Sequence, residues 1–216
     1  MNKFFKELIL WIIILIPVVY LIFIWDKLPL RIPTHFDFGG NPNGWTDKDS
    51  FPFLIGGLGI GTYFLMLLIP IFDPKRKIEQ MGDKYYSLRL LMTGFMSALS
   101  FYLLYIGEKG TVNSNLLIAL IGAFYAVIGN YLQAVKPNYF IGIRTPWTLE
   151  NEETWRKTHR LGGKVWLLGG LLIILIAFIV KNNSILAISF GIVTGIVIIV
   201  PVIYSFILFK NKASKS

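Results

Sequence analysis

The stretch "LILWIIILIPVVYLIFIW", Leu8 to Trp25, contains no charged residue. At 1.5 Å of rise per residue, a helix of this length spans about 27 Å, close to the ~30 Å hydrocarbon layer of a bilayer. Lys3 and Lys6 precede it, which gives the segment the look of a secretory leader. Its apolar core is longer than the ~7–15 residues of such leaders, and no small-x-small cleavage site follows. The segment therefore reads as a helix retained in the membrane. Five further runs repeat the pattern: Phe51 to Phe72, Leu88 to Gly107, Leu116 to Val135, Val165 to Val180 and Ile185 to Phe209. The predicted fold class is an all-α membrane protein, a six-transmembrane-helix bundle forming one integral membrane domain over residues 1–216. Pro17 and Pro201 are expected to kink the first and last helices, because each removes a backbone donor.

Composition agrees with this reading. Hydrophobic residues make up 55% of the 216 and charged residues 15%, with a mean hydropathy of +0.62, too apolar for an ordinary soluble domain. The absence of Cys removes disulfides, thiolate metal ligands and a Cys nucleophile together. The net charge of +9 raises the question of nucleic acid, and its distribution answers it. With the N-terminus inside, 16 of the 21 basic residues fall on the cytoplasmic side, Lys75, Arg89 and Lys215 among them. The outer side keeps Lys27, Arg31, Lys48, Lys109 and Lys181, balanced by Asp26, Asp37, Asp47, Asp49 and Glu108. The positive-inside rule then places both the N- and C-termini in the cytoplasm. The surplus suits anionic lipid headgroups, and no nucleic-acid partner is implied.

Two loops are longer than connection requires. The outer one, residues 26–50, contains "LPLRIPTHFDFGGNPNGWTDKDS", whose prolines and glycines predict an ordered, extended and turning segment. His35 and Asp37 have a spacing that suits two metal ligands, but no further His and no Cys lies on that side. A hydrogen-bonded His is the stronger expectation, and neither metal nor cofactor is called for. Phe36, Phe38 and Trp45 offer apolar surface beside the bilayer, suited to a membrane anchor or to an apolar peptide.

The inner loop, residues 136–164, holds "NYFIGIRTPWTLENEETWRKTHR" from Asn138 to Arg160. Gly142 and Pro146 predict an irregular entry. A short helix is expected after Thr148 as its N-cap, with Glu150, Glu152 and Glu153 near its positive end and Arg156, Lys157 and Arg160 toward the other. Glu152–Arg156 and Glu153–Lys157 are spaced as ion pairs, and Trp155 and His159 share one face. Trp147 and Trp155 read either as interfacial anchors or as part of a docking surface.

Both loops resemble a known family. The outer loop is similar to a pattern of Pro-x-x-Ile-Pro-x-His followed by a Gly, a turn and Trp, matched here by Pro29, Ile32, Pro33, His35, Gly40 and Trp45. The inner loop resembles the hallmark of the SdpI family through Asn138, Gly142, Arg144, Thr145, Pro146, Trp147, Thr148, Leu149, Trp155, Arg160 and Lys164. The resemblance implies a multi-pass protein of the cell membrane that gives immunity to a membrane-active peptide toxin, as the family does for the SdpC killing factor. It implies a toxin-facing outer loop at His35, Phe36, Asp37, Gly40 and Trp45. From the family's founding system it also implies capture of a soluble transcriptional repressor on the inner face. No position of the pattern is thereby catalytic. Two other classes compete. A transporter would carry charges deep in its spans, where this chain has only Asn130 and Gln133. An enzyme at the inner face would draw on His159, Arg144 and Glu152 or Glu153, with no recognisable nucleophile beside them.

Overall fold

The computed structural model describes residues 2–37, 40–74 and 76–213. Phe38 of the outer loop and the basic residues Lys75 and Lys215 lie outside them. Among the described residues, six helices are long and apolar enough to cross a membrane. They are α1 (Lys3–Ile24), α2 (Phe51–Phe72), α3 (Asp83–Lys109), α4 (Ser114–Leu132), α6 (Glu152–Ile179) and α7 (Asn183–Ala213). A short α5 (Pro146–Glu150) precedes α6, and the loop between α1 and α2 forms an antiparallel hairpin of β1 (Arg31–Phe36) and β2 (Pro42–Asp47). The six-helix layout expected from the apolar runs is present, and the hairpin is added to it. Large apolar side chains stay exposed along the spans, Phe23 and Phe178 among them, as befits helices whose surroundings are lipid.

The chain forms two compact units. The first, Met1–Leu68 with Tyr85–Ser114, holds α1, the hairpin, most of α2 and α3. At its hairpin end, Leu21, Ile24, Leu28, Ile32, Phe51, Ile55 and Leu104 share one core. Ile32 is the strand residue in that core and is fully buried. A two-stranded hairpin is marginal by itself, and burying one Ile side chain contributes about 1.5–3 kcal/mol, so Ile32 acts as the peg that holds it. At the other end of the unit, Leu10, Ile14 and Tyr63 pack together. There the Arg89 guanidinium makes two hydrogen bonds to the Glu7 carboxylate, at 2.7 and 2.8 Å, and the Tyr63 hydroxyl donates to the same carboxylate at 2.8 Å.

The second unit, Ile69–Lys84 with Asn115–Ser216, holds α4 to α7. Here α4 and α6 meet at small residues: a Cβ added at Gly129 would lie 2.3 Å from the Leu167 nitrogen, and one at Gly170 would lie 2.4 Å from the Ala126 nitrogen. Such backbone-to-backbone approach is how membrane helices gain packing when lipid offers no hydrophobic drive. Farther along α6, Ile173 packs with Val193 and Val197 of α7. Asn115 of α4 donates to the Ala177 and Val180 carbonyls, satisfying acceptors that the end of α6 leaves open.

One boundary differs from the sequence reading. Thr148 is not an N-cap: Thr145 caps α5, and Thr148 is the third helical residue of a reciprocal capping box. Asn151 then breaks the helix in an extended conformation and caps α6 by accepting from the Glu153 and Thr154 amides. The residues expected to form a separate short helix are therefore the first turns of the fifth span. An Asn side chain immediately before two acids competes well with Thr for that role, since its carboxamide oxygen reaches two amides at once.

Candidate functional site

The hairpin separates its anchoring from its display. Ile32 and Pro33 are buried, while across the strand pair Trp45 stays 55% exposed. Register places Pro33 opposite Trp45, Ile32 opposite Thr46 and Arg31 opposite Asp47. Thr34 and Thr46 hydroxyls meet at 3.0 Å, and Arg31 and Asp47 make an exposed ion pair at 3.5 Å. The Lys48 ammonium donates to the Leu28 carbonyl at 3.1 Å and lies over the Trp25 ring, tying the return strand to the end of α1. His35 is exposed, Phe36 half-buried. Asp37 is a turn former: its carboxylate accepts from the Asn41 backbone and side-chain amides at 2.8 and 3.2 Å. Gly40 takes φ +86° in that turn. The result is a compact surface bearing Trp45 and His35 on a fixed base.

The motif segment of the second unit is organised the other way round. Asn138 is buried, and its side chain uses both ends: it accepts from the Phe140 and Ile141 amides at 2.8 and 2.6 Å and donates to the Lys136 and Ile141 carbonyls. A buried amide so satisfied fixes a tight turn at no polar cost. Arg144 is exposed and its guanidinium donates to the Tyr139 carbonyl, closing the same turn from outside. Gly142 has φ +112°, and a Cβ there would lie 2.3 Å from His159 Nε2. That absent Cβ lets the chain pass over the His159 ring, where the Ile143 amide donates to Nε2 at 2.9 Å.

His159 is thereby consumed by backbone. Its Nδ1 pairs with the Trp155 carbonyl at 2.9 Å. Because Nε2 accepts, Nδ1 carries the proton and the ring is neutral. The ring stacks on Trp155, with centroids 4.1 Å apart. Trp155 is 1% exposed, and its indole N–H donates to the Val135 carbonyl at 3.0 Å. Neither nitrogen of His159 is left for proton transfer to a substrate in this arrangement. Thr145 and Thr148 are also buried; Pro146 is exposed at the first helical position of α5, where its missing N–H costs nothing. Trp147 is half-buried, donates to the Ser205 hydroxyl and packs edge-on against Phe206. Thr145 and Ser205 hydroxyls lie 3.3 Å apart. The loop is thus fastened to α7 at Ser205 and Phe206. Arg160 stays exposed, and of the two expected helical ion pairs, Glu153–Lys157 forms, at 2.8 Å.

Comparison with known proteins now has a geometry to meet. Residues 134–205 match the SdpI/YfhL protein family, and residues 12–60 match a domain of unknown function, DUF1648. The first match takes in the motif turn, α5, α6 and α7 as far as Ser205, so it contains the hydrogen bonds of the motif segment just described. The DUF1648 match covers most of α1, the hairpin and the start of α2. The chain is also 29% identical over 184 residues to the immunity protein SdpI of Bacillus subtilis (strain 168), covering 84% of this chain and 86% of that protein. No solved structure matches it. The resemblance read from the two loops is borne out, and with six spanning helices the chain is a multi-pass protein of the cell membrane.

Sequence reasoning missed two constellations. Ser205 was passed over inside an apolar run, although a lone Ser one turn after Pro201 is the polar interruption that could have marked it. The sequence reading counts Arg89 only among the cytoplasmic-side charges, whereas it is 8% exposed and paired with Glu7. The signal for this pair is a basic residue just inside one apolar run and an acid just before another.

Proposed function

We propose that this protein protects its cell from a membrane-active peptide toxin, that the hairpin is the toxin-facing surface, and that both termini lie in the cytoplasm. The observation that carries the proposal is the hairpin's construction: Trp45 is held out by a strand pair whose Ile32 is locked into the helical core. Rigid, exposed aromatic residues are favourable anchors for an apolar partner, because little freedom is lost on binding. The similarity to a protein named as an immunity protein along most of both chains supports the same reading, and the 16-to-5 division of basic residues supports the orientation. Protection of this kind requires no chemistry, in keeping with the engagement of His159 by backbone groups. A cytoplasmic repressor would meet the exposed remainder of the motif segment, Leu149, Glu150 and Arg156. The test is expression of the full chain in toxin-sensitive bacteria, scored for survival on a panel of membrane-active peptides. Protection against at least one peptide is expected; killing by every peptide at normal membrane levels contradicts the proposal.

A further inference from the structure

At the start of α6, Lys157, Arg160, Leu161 and Lys164 line a cleft of about 270 Å³ whose remaining wall is Tyr204 of α7. Three of its five lining residues are cationic and none is acidic. Lys157 is engaged by Glu153; Arg160, Lys164 and the Tyr204 hydroxyl have no hydrogen bond or ion pair among the described residues. Two cations and a phenol that converge on open space without a protein acceptor define a site for an anion. A guanidinium offers parallel N–H donors that match phosphate oxygens, and an ammonium adds a point charge.

What lies beyond the cleft selects the kind of anion. Continuing along α6 at the same helical face come Leu168, Leu171 and Leu175, each at least half exposed, and along α7 from Tyr204 come Val200 and Ile196, also exposed. The cationic cleft thus opens directly onto an apolar track where α6 begins and α7 nears its end. A soluble anion would use only the first feature, whereas an amphiphile uses both. We propose that this cleft binds the phosphate of an anionic phospholipid, with its acyl chains along the α6 and α7 track. Zwitterionic lipids bring an ammonium or choline group into a cluster of like charge and bind more weakly.

Full-length protein in neutral detergent, titrated with phosphatidylglycerol and followed by thermal unfolding, tests this. Ligand that binds only the folded state raises the melting temperature in a saturable way. Phosphatidylglycerol is expected to do so, with phosphatidylcholine and inorganic phosphate producing no saturable shift. In Arg160→Gln/Lys164→Gln the half-saturation point should move up roughly thirtyfold, since each basic residue at a lipid surface contributes roughly fivefold to binding. Tyr204→Phe should weaken binding less, and Arg156→Gln, an exposed cation of the same helix outside the cleft, should leave it unchanged. An unaltered titration in the double variant overturns the proposal. So does an equal loss in Arg156→Gln, which would mean diffuse surface charge, or an equal shift with inorganic phosphate, which would mean a soluble-anion site. No toxin enters the assay, so its outcome is independent of the immunity reading.

Discussion

The hairpin and the motif segment each carry conspicuous polar and aromatic residues, and they spend them in opposite directions. In the hairpin Ile32 and Pro33 are buried at the base, and Trp45, His35 and Arg31 face outward. In the motif segment Asn138, Thr145, Thr148, Trp155 and His159 face inward, and their hydrogen bonds end on the backbone, on one another or on Ser205. The difference teaches that a long, individual motif in a membrane protein can be a building instruction for one turn. Backbone buried away from water must have its polar groups paired, so such a turn supplies its own partners. A surface meant for another molecule needs the reverse: few residues committed to the fold and several left free.

If that contrast holds, substitutions in the two regions separate stability from protection. The largest loss of stability should come from Trp155→Ala, which removes a fully buried indole, its bond to the Val135 carbonyl and the stack on His159. About 3–5 kcal/mol is expected, read as a lowered unfolding midpoint of detergent-extracted protein; a change under about 1 kcal/mol would erase the distinction. Gly142→Ala comes next. It combines an unfavourable φ with a Cβ inside the His159 ring contact, and should cost about 2 kcal/mol or more. Wild-type stability there would mean that the turn is not held against His159. Arg144→Lys should cost about 1 kcal/mol or less, because an exposed ammonium replaces the guanidinium on the Tyr139 carbonyl. Lys157→Ala, which breaks only an exposed helical pair, should stay within about 0.5 kcal/mol. A larger loss for Lys157→Ala than for Arg144→Lys would reverse the order.

The six spans were legible because hydrocarbon imposes length and composition on a helix with little room for exception. Even so, α2 was read at both ends while α6 was found to begin at Glu152 rather than Val165. Charged first turns lie outside the hydrocarbon, and hydropathy cannot see them as helix. The extended, turning character of the outer loop followed from Pro29, Pro33, Gly40 and Gly44; its pairing into strands did not, since β1 contains a proline and its register shifts after Pro33. Within the motif segment, residue types at the turn were informative about local backbone. Partners were not: nothing local to Trp147 announces Ser205, 58 residues on, and nothing local to Glu7 announces Arg89, 82 residues on.

The central claim is that protection resides in the hairpin's exposed aromatic surface, and it is tested most directly by Trp45→Ala. Survival against a peptide to which the wild-type chain gives protection is compared at matched membrane levels, alongside the unfolding midpoint. The account predicts a midpoint within about 0.5 kcal/mol of wild type, as for surface substitutions, together with loss of protection, since exposed aromatic anchors contribute ~2 kcal/mol or more to binding. Undiminished protection by a variant folded as well as wild type would contradict it.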